Sequence, residues 1–222
     1  MVTREEKEMA EFILMDLDGT ITNPKLGITK SFRYALKHWN IRIEDLDTLT
    51  RHIGPPLRDS FLEYGFSGDQ LEQAIVKYRE YFNKQGIFEN EVYEGMEEFL
   101  RKLNRAGKKV IVATSKPEEL ARRILEHFYL AEYFADICGA TFDESRAKKD
   151  EVIQYALDKN GITDYTKAVM VGDREYDIAG AKAIGIASVG VLYGFGSEEE
   201  LRKAGAGRIA ATVEELYNVL MD

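Results

Sequence analysis

The stretch from Phe12 to Thr20, with the sequence FILMDLDGT, decides the fold of this 222-residue chain. Four apolar residues, Phe12 to Met15, come directly before the acids Asp16 and Asp18, and a glycine follows at position 19. A short continuous apolar run of this kind is typical of a strand that is buried on both faces of a parallel sheet. The stretch therefore predicts a buried strand that ends in a turn and carries both carboxylates at its C-terminal end.

Apolar runs of the same kind recur further along the chain and predict more strands. They lie at 110–113, 168–171 and 187–191, with weaker candidates at 136–140 and 208–210. Between these runs the apolar residues are spaced as on one face of a helix, as Leu120, Ile124 and Phe128 are. Strands that alternate with helices indicate an α/β fold with a Rossmann-like parallel sheet.

Residues 22–88 interrupt this alternation. They contain no convincing strand pattern, but Phe32, Ala35 and Leu36 fit one helical face, and apolar residues between 71 and 82 fit another. Glycines and prolines at 54–56 and 65–68 predict breaks between helices. We therefore expect an α-helical cap domain at 22–88, inserted into an α/β core formed by residues 1–21 and 89–222.

The composition of the chain limits which partners the protein can bind and where in the cell we expect it. The chain carries 30 basic and 39 acidic residues, for a formal net charge of −9, which disfavours nucleic-acid binding. The single cysteine cannot form an intramolecular disulfide, the charged N-terminus lacks a signal-peptide pattern, and no apolar run approaches the ~20 residues that span a bilayer. We expect a cytoplasmic protein, monomeric or weakly dimeric, that binds neither nucleic acid nor membrane, and a small anionic substrate remains possible.

Acids and hydroxyls follow directly after several predicted strands, where ligands collect in parallel α/β sheets. These residues are Asp16 and Asp18, Thr114 and Ser115, and Asp173, while Lys148 and Lys149 open the helix after 136–140. Two carboxylates so close together repel each other when they are desolvated, unless a cation or a shared proton lies between them. Mg²⁺ suits these oxygen ligands, and the three histidines and one cysteine show no zinc-site spacing around them.

Each motif also has a purely structural interpretation. The Asp-Gly pair after the first strand favours a turn, and Ser115 with Glu118 could form a helix-capping box with Pro117 in the first turn. Acids such as Asp177 are favoured at a helix N-terminus. The glycine-rich segment 190–196 lacks nucleotide-binding spacing, and we interpret it as a turn on the rim of the site.

Four segments taken in order resemble the four motifs of the haloacid dehalogenase-like (HAD) hydrolase superfamily. They are Asp16–Thr20, Thr114–Pro117, Lys149, and Gly172–Asp177. The resemblance extends from Phe12 to about Gly196 and is closest to the phosphoglycolate phosphatase-like branch, whose helical cap is inserted after the first motif. Residues 22–88 match that cap in position and in helical character.

The resemblance implies a role for each matching residue. Asp16 is implied as the nucleophile and Asp18 as the general acid and base, with Thr114 and Ser115 as phosphate ligands. Lys149, rather than its neighbour Lys148, is implied to steady the phosphate. The implied Mg²⁺ ligands are Asp16, Asp18 through its backbone carbonyl, and Asp173, with Asp177 holding a metal-bound water.

The implied function is Mg²⁺-dependent hydrolysis of a small phosphate monoester through an aspartyl-phosphate, as in phosphoglycolate phosphatases or 5′-nucleotidases. The implied partner is therefore a small phosphorylated metabolite. A β-phosphoglucomutase-like phosphoryl transfer and a pyrophosphatase remain as alternatives, and a receiver-like phosphoacceptor remains as a non-hydrolase alternative. Asp18 argues against a dehalogenase, because dehalogenases of the family lack that second acid. Arg58 in the cap is a candidate contact for an anionic substrate tail, although an ordinary surface arginine is the favoured interpretation.

Overall fold

A computed structural model describes residues 10–222, and the expectations about residues 1–9 lie outside this part of the chain. Six strands form the main sheet and two form a short ribbon. The strands are β1 (Phe12–Met15), β2 (Thr22–Asn23), β3 (Glu91–Val92), β4 (Lys109–Pro117), β5 (Asp136–Ala140), β6 (Ala168–Gly172), β7 (Ala187–Val191) and β8 (Arg208–Ala210).

Nine α-helices accompany these strands within the described residues. They are α1 (Lys25–Lys37), α2 (Leu57–Leu62), α3 (Gly68–Phe82), α4 (Met96–Arg105), α5 (Glu118–His127), α6 (Lys149–Lys159), α7 (Glu175–Ile184), α8 (Glu198–Ala204) and α9 (Val213–Met221). Short 3₁₀ turns lie at Leu46–His52, Gly86–Phe88, Ala131–Tyr133 and Tyr165–Lys167. Between residues 10 and 222 no helix is both long and apolar enough to cross a bilayer.

The main sheet is parallel throughout, with the strand order β5-β4-β1-β6-β7-β8. On one side of β1 the sheet continues with β4 and β5, and on the other side it continues with β6, β7 and β8. Strand β1 thus lies at the point where the strand order reverses, which is where open α/β sheets bind their ligands. The α/β prediction and the predicted strands are confirmed.

Because β1 is buried on both faces of the sheet, its sequence is an uninterrupted apolar run. Ile13 and Met15 pack into one hydrophobic cluster and Leu14 into the cluster on the opposite face, and all three are fully buried. The acids that follow lie where this apolar layer ends.

The helical segment between Lys25 and Phe88 packs over the carboxyl ends of the strands. Its interior contains an aromatic group in which the ring of Phe32 lies 5.0 Å from the rings of both Phe61 and Tyr78. The antiparallel ribbon of β2 and β3 joins this segment to the α/β core on both sides. A strand of two residues is too short to produce an alternating pattern, and the sequence did not predict it.

The alternative interpretation of Ser115 and Glu118 as a helix-capping box is wrong. Strand β4 continues to Pro117, and α5 begins only at Glu118 without a side-chain cap. A proline disfavours helical geometry in the residue before it, so Lys116 stays extended. The Glu118 carboxylate instead accepts a hydrogen bond from the Gly139 backbone N–H at 3.3 Å.

Candidate active site

Three buried acids come together at the carboxyl ends of β1 and β6. Asp16, Asp173 and Asp177 each place a carboxylate oxygen within 4.8 Å of those of the other two. Gly19 makes the tight turn after β1, with φ of +89°, and a Cβ there would come within 2.2 Å of an Asp173 oxygen. Glycine at this position therefore permits both the turn and the close approach of Asp173 to β1.

Lys149 lies between two of these acids. Its Nζ is 2.9 Å from Asp16 Oδ1 and 2.8 Å from Asp177 Oδ1, and it donates a hydrogen bond to the Ala113 carbonyl. Burial opposes the charge on this lysine, but Asp16 and Asp177 outweigh that effect and raise its pKa. Lys148 is exposed at the N-terminus of α6, so of the two adjacent lysines the structure brings only Lys149 to the acids.

Desolvation dominates the electrostatics of Asp173 and Asp177. Burial raises the pKa of both carboxyls, and the neighbouring acids raise it further, while Lys149 lowers that of Asp177. Asp173 accepts hydrogen bonds from Thr20 Oγ1 at 3.3 Å and from the Phe195 backbone N–H at 2.8 Å. Three close carboxylates with one ammonium leave an excess of negative charge, which is the environment of a cation site.

Asp18 lies outside this cluster and pairs with Lys116. The Lys116 Nζ lies 2.5 Å from Asp18 Oδ2, and both side chains are almost fully buried. Burial raises the pKa of Asp18, and the Lys116 ammonium opposes the shift. The carboxylate of Asp18 is thus held by a lysine that is not the one beside Asp16.

A cleft between the cap and the core opens onto these residues. On the core side it is lined by Asp16, Asp18 and the end of β4 from Thr114 to Pro117. On the cap side it is lined mainly by apolar and aromatic residues, which are Ile28, Phe32, His52, Gly54, Pro55, Pro56, Leu57, Tyr78, Arg79 and Phe82. The cavity measures about 120 Å³, which suits a small ligand.

The predicted site residues fall into two groups. The structure brings Asp16, Asp18, Thr114, Ser115 and Lys149 to the cleft or its immediate wall, with Asp173 and Asp177 beside them. The Thr114 hydroxyl accepts a hydrogen bond from the Lys116 backbone N–H at 3.2 Å, which leaves its own proton free to donate.

Arg58 is the predicted residue that the structure places elsewhere. Its guanidinium pairs with Glu144 of the core at 2.5 Å and with Glu72 of the cap at 2.7 Å. Two acidic partners occupy its donors, so it links the cap to the core instead of facing the cleft. Spacing along the sequence could not reveal these partners, because Glu144 is 86 residues away.

Sequence reasoning missed Lys116 and the contacts around Asp173. Lys116 stands in the Thr114–Pro117 motif, but the capping interpretation of that motif gave it no role. The signal that could have found it is a lysine two residues after a candidate phosphate ligand at a strand end. The segment 190–196 was predicted to be a turn on the rim, and its Phe195 N–H proves to donate directly to Asp173.

The family model for haloacid dehalogenase-like hydrolases matches residues 13–191, which include the acid cluster, the cap and Lys149. The chain belongs to this family. The predicted HAD-like phosphatase is thereby confirmed at the level of the family, and the parallel sheet agrees with the matching solved structure.

Relatives of this hydrolase include several phosphatases. It is 42% identical over 209 residues to a 5′-nucleotidase of Pseudomonas aeruginosa, an alignment that covers 94% of each chain. It is 38% identical to the tyrosine-protein kinase PtkA of Mycobacterium tuberculosis, covering 96% of this chain and 73% of the kinase. The crystal structure of a predicted phosphatase from Clostridium acetobutylicum superposes with a TM-score of 0.93 at 45% identity, covering 96% of this chain and 99% of the other.

Proposed function

We propose that this hydrolase is a Mg²⁺-dependent phosphatase that cleaves small phosphate monoesters through an aspartyl-phosphate on Asp16, with nucleoside 5′-monophosphates as its substrate class. The observation that carries the proposal is the position of Asp16. Its carboxylate lines the cleft, pairs with Lys149 at 2.9 Å and lies within 4.8 Å of two further acids. A carboxylate so placed can act as a nucleophile toward phosphorus.

The reaction then has two steps. An oxygen of Asp16 attacks the phosphorus, the bond from phosphorus to the leaving oxygen breaks, and Asp18 gives that oxygen a proton. In the second step Asp18 takes a proton from water, which attacks the aspartyl-phosphate. The bond between phosphorus and the Asp16 oxygen breaks, inorganic phosphate leaves, and Asp16 is restored.

Positive charge and hydrogen-bond donors assist this chemistry. The Lys149 ammonium offsets the repulsion between the Asp16 carboxylate and the phosphate. Because both side chains are buried away from bulk water, this interaction is stronger than it would be at the surface. The Thr114 hydroxyl, with its proton free, donates to a phosphate oxygen in the cleft. Ser115 lines the cleft beside it and offers a second donor.

The donor set fits Mg²⁺. Asp16, Asp173 and Asp177 provide only oxygen ligands, all buried, and their negative charge exceeds that of the one lysine between them. These three acids would hold the ion. When bound, Mg²⁺ supplies further positive charge that offsets the repulsion between carboxylate and phosphate.

The cap side of the cleft supports the choice of substrate. Aromatic rings of Phe32, Tyr78 and Phe82 line it. A flat uncharged group, such as the base of a nucleotide, packs well against such rings. A substrate with a carboxylate tail, such as phosphoglycolate, needs a cation for that tail. Arg58 already pairs with two acids, which leaves Arg79 as the arginine on the cap side of the cleft. The 42% identity to a 5′-nucleotidase supports the same choice.

Release of inorganic phosphate from a panel of substrates tests the proposal. The purified protein with Mg²⁺ is given nucleoside 5′-monophosphates, phosphoglycolate, inorganic pyrophosphate and sugar phosphates, with parallel samples in EDTA. We expect the highest kcat/KM for a nucleoside 5′-monophosphate and loss of turnover in EDTA that added Mg²⁺ restores. A stoichiometric burst without turnover would refute the hydrolase, and a preference for another member of the panel would refute the substrate class.

A further inference from the structure

Lys116 is a buried lysine that the family motifs leave without a role. Its side chain is 6% exposed, and its Nζ lies 2.5 Å from Asp18 Oδ2. The ring of Phe82, the last residue of α3 in the cap, covers the same ammonium at 4.8 Å from its centroid. Lys116 therefore contacts the acid in the core and the cap above it at once.

This contact distinguishes the two oxygens of Asp18. Oδ2 is held by the ammonium, whereas Oδ1 is buried and has no hydrogen-bond partner within residues 10–222. A buried carboxylate oxygen without a partner is unfavourable, and such oxygens occur where a ligand or a reacting group completes the site. Asp18 lines the cleft, so the group that completes it comes from the substrate or from water there.

The backbone around Lys116 fixes the position of its side chain. Pro117 keeps Lys116 extended, and the Lys116 N–H donates to Thr114 Oγ1 at 3.2 Å. The lysine is thus attached to the same strand end that carries the candidate phosphate donors. A buried ion pair is weak evidence for a stabilising role by itself, so the geometry of the pair calls for a functional explanation.

We propose that Lys116 is a positioning residue for Asp18, which holds Oδ2 and presents Oδ1 to the oxygen of the leaving group beneath the cap. This inference rests on the proposed function, because it assigns Asp18 the transfer of a proton to that oxygen. Lys116 acts through Asp18. Its loss therefore slows the cleavage of esters in proportion to their need for that proton.

The choice of leaving group separates this role from a merely structural one. A nucleoside 5′-hydroxyl is a poor leaving group that needs the proton, whereas p-nitrophenolate leaves with little help. Rapid-quench measurements of the first turnover report alcohol release for AMP and for p-nitrophenyl phosphate, before the shared second step. We expect Lys116→Met to slow nucleoside release at least about tenfold and p-nitrophenol release less than about threefold.

Three variants serve as controls. Lys116→Arg keeps the charge and should recover part of nucleoside release, and Lys116→Gln keeps a donor without charge and serves if the methionine variant fails to fold. Lys148→Met removes an exposed lysine and should change neither rate. Equal slowing of both substrates in folded Lys116 variants, or no slowing of either, would overturn the positioning role while the wild type still turns over. Absence of turnover in the wild type would overturn the proposed function and this role together.

Discussion

The two walls of the cleft consist of different kinds of residue. The core wall includes Asp16 and Asp18, which follow strand β1, and Thr114 and Lys116 at the end of strand β4, with Lys149 directly beside Asp16. The cap wall consists mainly of the rings of Phe32, Tyr78 and Phe82. Charged groups in the core wall are paired at distances below 3 Å, whereas the cap wall, apart from Arg79, offers shape and apolar surface.

This difference separates two kinds of sensitivity. A buried charge depends on a particular partner, and removing one partner leaves the other uncompensated at a cost of several kcal/mol. Apolar contacts are less specific, because another side chain of similar size recovers most of their packing energy. Substitutions in the core wall should therefore abolish chemistry, and substitutions in the cap should change affinity or substrate choice.

The largest effect is expected for Asp16→Asn. The amide cannot attack phosphorus, so phosphate release should fall at least about 10³-fold. Because the change also removes one of three clustered carboxylates, we expect a folded protein whose thermal midpoint in the absence of Mg²⁺ is not lowered. Asp69→Asn, at an exposed position in the cap, is the matched control and should keep wild-type activity. Full activity in Asp16→Asn would exclude Asp16 as the nucleophile.

The next largest effect is expected for Lys149→Met, and it should distinguish Lys149 from the adjacent Lys148. Lys149→Met leaves Asp16 and Asp177 without their ammonium, and we expect a loss of unfolding free energy of about 3 kcal/mol at neutral pH without Mg²⁺. Phosphate release should fall about 10²-fold or more. Lys148→Met should alter neither quantity, because that side chain is exposed. Denaturant unfolding and phosphate release measure both, and equal losses in the two variants would contradict the assignment.

The stability loss in Lys149→Met should shrink as the pH falls. The pKa of Asp177 is already raised to about 6 in the wild type, chiefly by burial, so the folded state binds a proton more readily than the unfolded state. A raised carboxyl pKa favours the folded state at low pH, and that advantage is lost as pH rises through the folded value. In Lys149→Met, protonation of Asp177 and its neighbouring acids should therefore offset more of the lost unfolding free energy at pH 5 than at pH 7.

The sequence predicted the core wall better than the cap wall for physical reasons. Asp16 and Asp173 follow apolar strands directly, and parallel strands bring such positions together at one sheet edge. Arg58 lies in a helical segment, where spacing reveals an amphipathic face but not which distant acid a side chain meets. Lys116 was missed because its partner Asp18 is 98 residues away, and that pairing depends on the register of β1 and β4.

The smallest effect is expected for Arg58→Met, which tests whether the cap carries a substrate contact. Its side chain is 36% exposed, so loss of the pairs with Glu144 and Glu72 should lower the unfolding free energy by less than about 1 kcal/mol. Since the guanidinium is already bound to two acids, KM should change less than about threefold for every substrate and kcat should stay near the wild-type value. Glu72→Gln removes only the partner within the cap and serves as the control. A tenfold rise in KM confined to substrates with an anionic tail would show instead that Arg58 leaves its partners to bind that tail, and that the cap wall, like the core wall, uses charge.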